Sequence, residues 1–455
     1  MRSVSLTALI VAAALAGCAT TPAADVKGAV SSLPAAYAHA GPAAAAPAAS
    51  GDWWTAFGDD RLDRVVDKAL AKNNDLAAAA ILVRRAQLQA GLAGDPLLPH
   101  ASADGSASTS RESGQTTRAA SASASVSYEA DLFGRLGAER DAARWEARAT
   151  AQDLEATRLA LIGQTLDLYW TLGYLNARIA SAEASVAYGR QVLTLVETQK
   201  AAGAVSGIEL NEASQSVQSQ EAALSALVQQ RVETRNALAL LLGGEAWPQD
   251  DEPQGLSQDA LPAVAEGAPA ELLARRPDLR AAELRLREAT STIDAARASF
   301  YPQITLTGSA GGSSASLSNV LADPVTSLGV GLSLPFLNWN QLSLSLKVSQ
   351  ADYEKAVIDF RQSLLSAFTD VDNALSAKTQ LDIQGERLAA SHASAAQTAR
   401  LYGVRYEAGA VALRIWLDAQ EAERSAETSL LDNRLSRLQN QSTLYQALGG
   451  DIPAA

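Results

Sequence analysis

The fifteen prolines of this 455-residue chain avoid two long spans. None occurs between Pro99 and Pro248, and none between Pro335 and Pro453. A proline inside a helix costs about 3 kcal/mol, so long spans without proline that are rich in Ala, Leu, Gln and Glu are where long helices can form. The sequence therefore predicts two sets of long helices, one in each half of the chain.

Apolar residues inside both spans recur at steps of three and four. In the first span they are Leu168, Leu172, Leu175, Ile179, Ala182, Val186, Leu193 and Val196, and in the second Tyr353, Val357, Phe360, Leu364, Ala367, Val371 and Ala374. This spacing is typical of a left-handed coiled-coil seam. A helix from about residue 137 to 201 would be about 100 Å long at about 1.5 Å per residue.

Two other stretches alternate with a period of two. Apolar residues at Ala120, Ala122, Ala124, Val126 and Tyr128 interleave with serines, and Leu328, Val330, Leu332 and Leu334 interleave with Ser and Gly. Each stretch is predicted to pair, across a polar loop, with a preceding strand, His100 to about Ser110 and Gln303 to about Gly311. Strands of about ten residues with one apolar face cross an outer membrane when tilted. A small soluble hairpin lying on the helices is the alternative.

The chain also repeats itself. Leu98-Pro99-His100 matches Tyr301-Pro302-Gln303 at an offset of 203 residues, and Leu242-Gly243-Gly244 matches Leu448-Gly449-Gly450 at an offset of 206. Each half therefore predicts a short helix, a β-hairpin, a very long helix, a turn and a long helix.

Composition excludes several functions. The chain has 37 basic and 50 acidic residues, a net charge of −13, which argues against nucleic acid as a partner. With three His and one Cys, and no GxxxxGK[ST], HExxH or GxSxG motif, we expect no catalytic residues, no metal site and no cofactor other than a covalent lipid. The chain is thus not expected to be an enzyme.

The N-terminus has the features of a signal peptide. Arg2 precedes an apolar run from Leu6 to Leu15, which is too short to span a membrane. Leu15-Ala16-Gly17-Cys18 resembles a bacterial lipobox, in which the cysteine becomes the lipidated mature N-terminus. Ala19, rather than Asp, follows it, which implies sorting to the outer membrane.

Further motifs carry a family resemblance. They are Trp53-Trp54 with Phe57 and Asp59, Arg275-Arg276-Pro277-Asp278-Leu279-Arg280, Phe300-Tyr301-Pro302, Tyr406-Glu407-Ala408-Gly409 and Leu417-Asp418-Ala419-Gln420. With the lipobox and the repeat, these residues resemble the TolC/NodT-type outer-membrane efflux lipoproteins, outer membrane factors of tripartite efflux systems, over about residues 18–450.

The resemblance implies a mixed fold, all-α plus transmembrane β, with an internal duplication. Predicted segments are a signal peptide (1–17), a lipidated linker (18–50), a first efflux repeat (51–250), an inter-repeat linker (251–270), a second repeat (271–450) and a tail (451–455). Four strands cannot close a barrel, which needs about eight or more. The family implies a homotrimer with a TolC-like 12-stranded β-barrel, four strands per subunit, continued by a long α-helical coiled-coil periplasmic tunnel.

The implied protein is lipid-anchored in the bacterial outer membrane and extends into the periplasm. It would be a passive exit duct for drugs or other small molecules, joined to a periplasmic adaptor (membrane fusion protein) and driven by an inner-membrane efflux pump. A type I protein-secretion exit channel and a structural periplasmic coiled-coil adaptor are the alternatives.

Three groups of site residues follow. Gly203 and Gly409 mark the turns that would form the periplasmic end of the tunnel and dock the adaptor. The family resemblance implies a periplasmic gate at Asp418 and Tyr406, with Glu212 as the first-half counterpart of Asp418 and with Arg414 four residues before it. Aromatic residues at the strand–helix junctions predict an interfacial belt against outer-membrane lipid: Tyr128, Phe133, Phe300, Tyr301, Phe336 and Trp339.

Overall fold

The computed structural model describes residues 34, 36–39, 52–262 and 275–450. The predicted signal peptide, Cys18 and the C-terminal tail lie outside these residues. The helices and strands follow in the order α1 (Asp60–Lys72), α2 (Asn74–Gly94), β1 (His100–Glu112), β2 (Gln115–Ala130), α3 (Arg135–Ala201), α4 (Gly207–Leu241), α5 (Pro277–Ala298), β3 (Gln303–Ser314), β4 (Val325–Ser333), α6 (Trp339–Glu407) and α7 (Leu413–Ala447). Each half thus has the predicted hairpin, very long helix, turn and long helix, but two helices, α1 and α2, precede the first hairpin where the sequence predicts one.

The two longest helices fill the proline-free spans. Helix α3 has 67 residues and α6 has 69. Most of the apolar seam residues are buried, among them Leu172 and Val196 in α3 and Phe360 and Val371 in α6. Among the described residues, no helix combines the length and hydropathy needed to cross a membrane.

Contacts divide the chain into two units. One contains the four strands together with the helical segments that flank them. Its described parts lie within Ile81–Gln152 and Leu279–Ser363, whereas the other unit comprises Leu33–Ala80, Asp153–Asp278 and Leu364–Ala455.

The strands of the first unit form one antiparallel sheet in the order β1-β2-β3-β4. The β1–β2 connection is shorter than the sequence predicts, because Ser113 and Gly114 alone form the turn, with φ of 50° and 85°. Positive φ at both central residues is the geometry of a two-residue hairpin turn, whose twist matches that of the strands. The polar residues taken for a loop are therefore paired, and β1 and β2 extend to 13 and 16 residues.

The sheet has two faces of different chemistry. The hydroxyl face carries cross-strand serine pairs whose Oγ atoms are 2.8 Å apart in Ser102–Ser125 and Ser106–Ser121 and 2.7 Å apart in Ser309–Ser327. The opposite, apolar face carries exposed large side chains: Val126, Leu306, Leu328, Val330 and Leu332. This is the predicted alternation.

The second unit has an aromatic core near its N-terminal end. Trp53 is 2% exposed and stacks on Tyr445 at 4.8 Å between ring centroids. Asp59 caps α1 by accepting from the backbone N–H of Arg61 at 2.9 Å, and its other oxygen accepts from the Tyr169 hydroxyl at 2.7 Å. The Trp-Trp and Asp residues of the first motif are thus packing and capping residues of this core.

Candidate functional site

The helix reversals at Gly203 and Gly409 share one geometry. The amide N–H of Ala204 donates to the Gln199 carbonyl at 2.8 Å, and that of Gly203 donates to Lys200 at 2.9 Å. The second turn repeats both bonds with Ala410 and Gly409. This is the Schellman ending, which needs a left-handed residue, and Gly203 and Gly409 have φ of 74° and 70°. A Cβ at either glycine would meet open space, so both turns present their backbone to solvent.

Helix α4 begins with a capping box that its repeat counterpart lacks. Ser206 accepts from the amide of Ile208 at 3.1 Å, and Glu209 accepts from the amide of Ser206 at 2.9 Å. The N-cap of α7 is Ala412, whose side chain makes no capping hydrogen bond. The two turns therefore differ at the start of the returning helix.

An aromatic cluster holds the helix ends beside these turns together. Trp416 is 3% exposed, stacks on Tyr406 at 5.1 Å between centroids and meets Tyr188 edge-on at 5.9 Å. The Tyr406 hydroxyl donates to Gln199 Oε1 at 2.9 Å. Burial, with the nearby Glu209 carboxylate, raises the pKa of Tyr406, so this hydroxyl remains a donor. Tyr406, implied to be a gate residue, is placed in this core and is 8% exposed.

The other three gate candidates line one groove in the same unit. Glu212, Arg414 and Asp418 border a cavity of about 420 Å³ together with Gln215, Ser216, Ser219, Gln220, Leu417, Glu421 and Arg424. Arg414 Nε and Asp418 Oδ2 are 3.9 Å apart, and both side chains are 74% exposed. An ion pair that is so exposed to water contributes about 0–1 kcal/mol. Arg414 therefore compensates little of the negative charge of Asp418.

The groove contains a second charge pair that sequence reasoning missed. Arg424 Nη2 donates to Glu421 Oε2 at 2.6 Å, one turn beyond Asp418. Three carboxylates (Glu212, Asp418 and Glu421) and two guanidinium groups (Arg414 and Arg424) thus line the groove, which gives it an excess of one negative charge. The spacing of Glu421 and Arg424 at i and i+3 could have identified the pair.

Sequence reasoning also missed the residues that hold Tyr406 in the aromatic cluster beside the turns. Trp416, Tyr188 and Gln199 fix Tyr406, yet none belongs to a predicted site. The Ser206-x-x-Glu209 pattern is a sequence signature of a capping box and could have been recognised. Trp416 lies three residues after Leu413, at helical spacing, which was a signal for the buried face of α7.

The predicted aromatic belt lies within the sheet unit. Phe133 stacks on Tyr301 at 4.7 Å, and Phe300 meets Trp339 edge-on at 5.1 Å. Trp339 is 65% exposed, and Phe133 and Phe336 are 40% and 42% exposed. Tyr128, within β2, is partly buried. The structure thus brings four of the six rings together as two pairs.

Comparison with known proteins agrees with this architecture. The profile of the family described as Outer membrane efflux protein matches residues 65–244 and 268–450, once in each half. Toxin and drug export protein A of Aggregatibacter actinomycetemcomitans is 32% identical over 407 residues, covering 88% of each chain. Outer membrane protein OprJ of Pseudomonas aeruginosa is 30% identical over 460 residues, covering 98% of this chain and 95% of OprJ.

A solved channel has the same fold. The open-state crystal structure of the MtrE outer membrane channel of Neisseria gonorrhoeae superposes with a TM-score of 0.78 at 29% identity, over 92% of this chain and 96% of that one. The TolC-like fold predicted from the sequence is confirmed, and the alternative of a periplasmic coiled-coil adaptor is excluded. The chain belongs to the outer membrane efflux protein family and is an outer-membrane efflux channel that extends into the periplasm.

Proposed function

We propose that three copies of this chain close into one channel and that this trimer is the exit duct of a tripartite efflux system. The observation that carries the proposal is the sheet, with its apolar and hydroxyl faces and its edge strands β1 and β4. Lipid offers no partner for the backbone groups of an open edge, so β1 of one copy must pair with β4 of the next. Three copies of four strands supply twelve.

The duct is passive, and its cargo is drugs or other small molecules. An inner-membrane pump supplies the energy. A periplasmic adaptor binds the turns at Gly203 and Gly409 and so connects the channel to the pump. Six such turns would ring a trimer, and their open surroundings leave room for a partner. The chain performs no catalysis and needs no cofactor.

The test is a recording in planar lipid bilayers. Purified protein should migrate as a trimer in mild detergent and produce ion-conducting channels. A preparation that stays monomeric, or a trimer that never conducts, would contradict the proposal.

The charged groove near the second turn serves as the gate. Asp418 and Glu212, contributed three times, place six carboxylates around the axis of a trimer. Such a ring selects cations and binds divalent or trivalent cations strongly. Arg414, 3.9 Å from Asp418, offsets part of the negative charge of the ring.

Block by periplasmic-side trivalent cations tests the gate. Asp418→Ala and Glu212→Gln together should weaken the block and the cation selectivity, while Arg414→Ala should raise conductance. Glu386→Gln, an exposed carboxyl on α6, is the control. Unchanged block in the Asp418 and Glu212 double variant would move the gate elsewhere.

Protein export through a type I system is the second candidate. The observation that favours it is the relative named for both toxin and drug export. Deletion of the gene should cause drug sensitivity under the first proposal and loss of a secreted protein under the second.

A further inference from the structure

Charges on the four strands are segregated by face. Asp104, Glu112 and Glu129, the only strand carboxylates among the described residues, lie on the hydroxyl face. Both strand arginines, Arg111 and Arg118, lie on the apolar face and are exposed. A lipid that contacts this face therefore meets positive charge and none of these strand carboxylates.

The two arginines are close neighbours. Arg118 lies opposite Thr109, and Arg111 lies opposite Thr116, so they are diagonal partners across the β1–β2 ladder. Cα atoms in that relation are about 7–8 Å apart, a spacing that long side chains bridge. Two guanidinium groups can therefore reach one anion.

Their level along the strand matches a membrane surface. Arg111 is eleven residues beyond His100, the first residue of β1. At about 3.4 Å per residue and a tilt of about 45°, that distance rises about 26 Å, the height of the apolar band of an outer-membrane barrel. The arginines therefore lie at the far boundary of that band, at the level of lipid head groups.

This end of the sheet lacks the usual aromatic anchors. All six belt residues lie at the other end, and neither residues 101–127 nor residues 302–335 contain Phe, Trp or Tyr. Outer-membrane barrels ordinarily carry aromatic girdles at both interfaces. Anchoring at the hairpin end must rely on a different contact.

The β3–β4 loop adds apolar surface beside Arg118. A Cβ on Gly312, which lies on the apolar face of β3, would clash with the carbonyl oxygen of Val320 in the loop. Ala120, the residue after Arg118 on the same face of β2, is only 5% exposed. The loop therefore packs on the apolar face. Its Leu317 and Leu321 are 70% and 63% exposed. Basic and apolar groups thus adjoin at one place.

We propose that Arg111 and Arg118 bind the phosphate group of an anionic lipid in the outer leaflet, with Leu317 and Leu321 against its acyl chains. Guanidinium groups bind phosphate through charge-assisted, bidentate hydrogen bonds, so this contact could replace the aromatic anchors that are absent from this end of the sheet. This inference rests on the closed barrel proposed above.

Native mass spectrometry of the detergent-purified trimer tests it. The trimer is titrated with dioleoylphosphatidic acid and with dioleoylphosphatidylcholine, which differ in head-group charge but not in acyl chains. We expect retention of phosphatidic acid, weakened about fivefold by each of Arg111→Ala and Arg118→Ala. The control is the double variant Arg361→Ala with Arg387→Ala, which removes two exposed arginines of α6. It removes as much charge as the Arg111 and Arg118 double variant and should leave lipid retention unchanged.

Three results would overturn the inference. They are equal retention of the two lipids, unchanged retention in the Arg111 and Arg118 double variant, and displacement of the lipid by millimolar inorganic phosphate. Conductance is measured on the same preparations, so failure of the barrel itself would appear as a wild-type protein without trimers or channels.

Discussion

Asp167 of α3 has one buried carboxyl oxygen that the fold leaves without a hydrogen bond. Among the described residues its Oδ1 has no hydrogen-bond partner, and burial raises its pKa from 3.8 to about 6. The folded chain therefore holds this proton more tightly than the unfolded chain does. The contribution of this one group to stability is fully present below pH 3.8 and is lost as the pH rises through about 6, because ionisation is penalised in the folded state.

Asp167→Asn should remove this penalty. Because solvent partly screens the carboxyl group, we expect a gain of about 1 kcal/mol at pH 7.5 and none near pH 3.5. Thermal unfolding followed by circular dichroism at the two pH values measures the difference, with Glu386→Gln as the exposed control. An equal gain at both pH values would show that ionisation is not the cause.

The site residues that could be predicted from the sequence are those whose role depends only on the local backbone conformation. Gly203 and Gly409 interrupt helical spans, so a turn needing positive φ was foreseeable. Tyr406 was not, because its burial depends on the rotation of α6 against Trp416 and Gln199, which a helical period does not fix. Which face of the sheet carries Arg111 and Arg118 depends on the strand register. That register is fixed by the turn at Ser113 and Gly114, whose position the sequence did not predict.

At the scale of elements, the two repeats differ in how their returning helices begin. Ser206 and Glu209 cap α4, whereas Ala412 leaves the first amides of α7 without a side-chain acceptor. Replacing an N-cap serine by alanine costs about 1 kcal/mol. The second turn is therefore the one whose helix start frays more readily.

Reciprocal substitutions test this asymmetry. Ser206→Ala should increase amide hydrogen exchange at residues 207–210, and Ala412→Ser should slow it at residues 413–416, each by about fivefold for about 1 kcal/mol. Exchange is followed by mass spectrometry, with Ser436→Ala in the middle of α7 as control. If Ala412→Ser gave no protection, the amides of α7 would have another partner.

The proline-free spans and the 3.5-residue period were enough to predict the long helices, since length and period are local properties. The hairpins were predicted as elements but not at their full length. Polar residues 111–119 have the composition of a loop, and only pairing shows that they continue the strands.

At the scale of the whole molecule, the turns at Gly203 and Gly409 should dock the adaptor. Gly203→Trp with Gly409→Trp should leave trimers intact, since open space surrounds both positions, yet cause drug sensitivity. The control is the double variant Gly203→Ala with Gly409→Ala. It has the same left-handed backbone strain as the Trp variant, about 1–2 kcal/mol per residue, but adds no bulky side chain. Equal sensitivity in both double variants would attribute the defect to strain rather than to docking.

The proposed lipid on Cys18 should assist sorting and assembly more than anchorage, because a twelve-stranded barrel itself spans the bilayer. Cys18→Ser should abolish labelling by radioactive palmitate, while Ala19→Ser should retain it. Trimers recovered from the unlabelled variant should still conduct. Persistent labelling would show that the lipid is attached elsewhere.

The serine pairs of the hydroxyl face have a consequence for transport. In Ser102–Ser125, Ser106–Ser121 and Ser309–Ser327, one of the two hydroxyl protons is already donated to the neighbouring oxygen. In the proposed barrel the hydroxyl face lines the lumen, where each pair leaves one hydroxyl proton, rather than two, free to bind a solute. We therefore expect solutes of very different shape to pass these serines without a strong binding site among them.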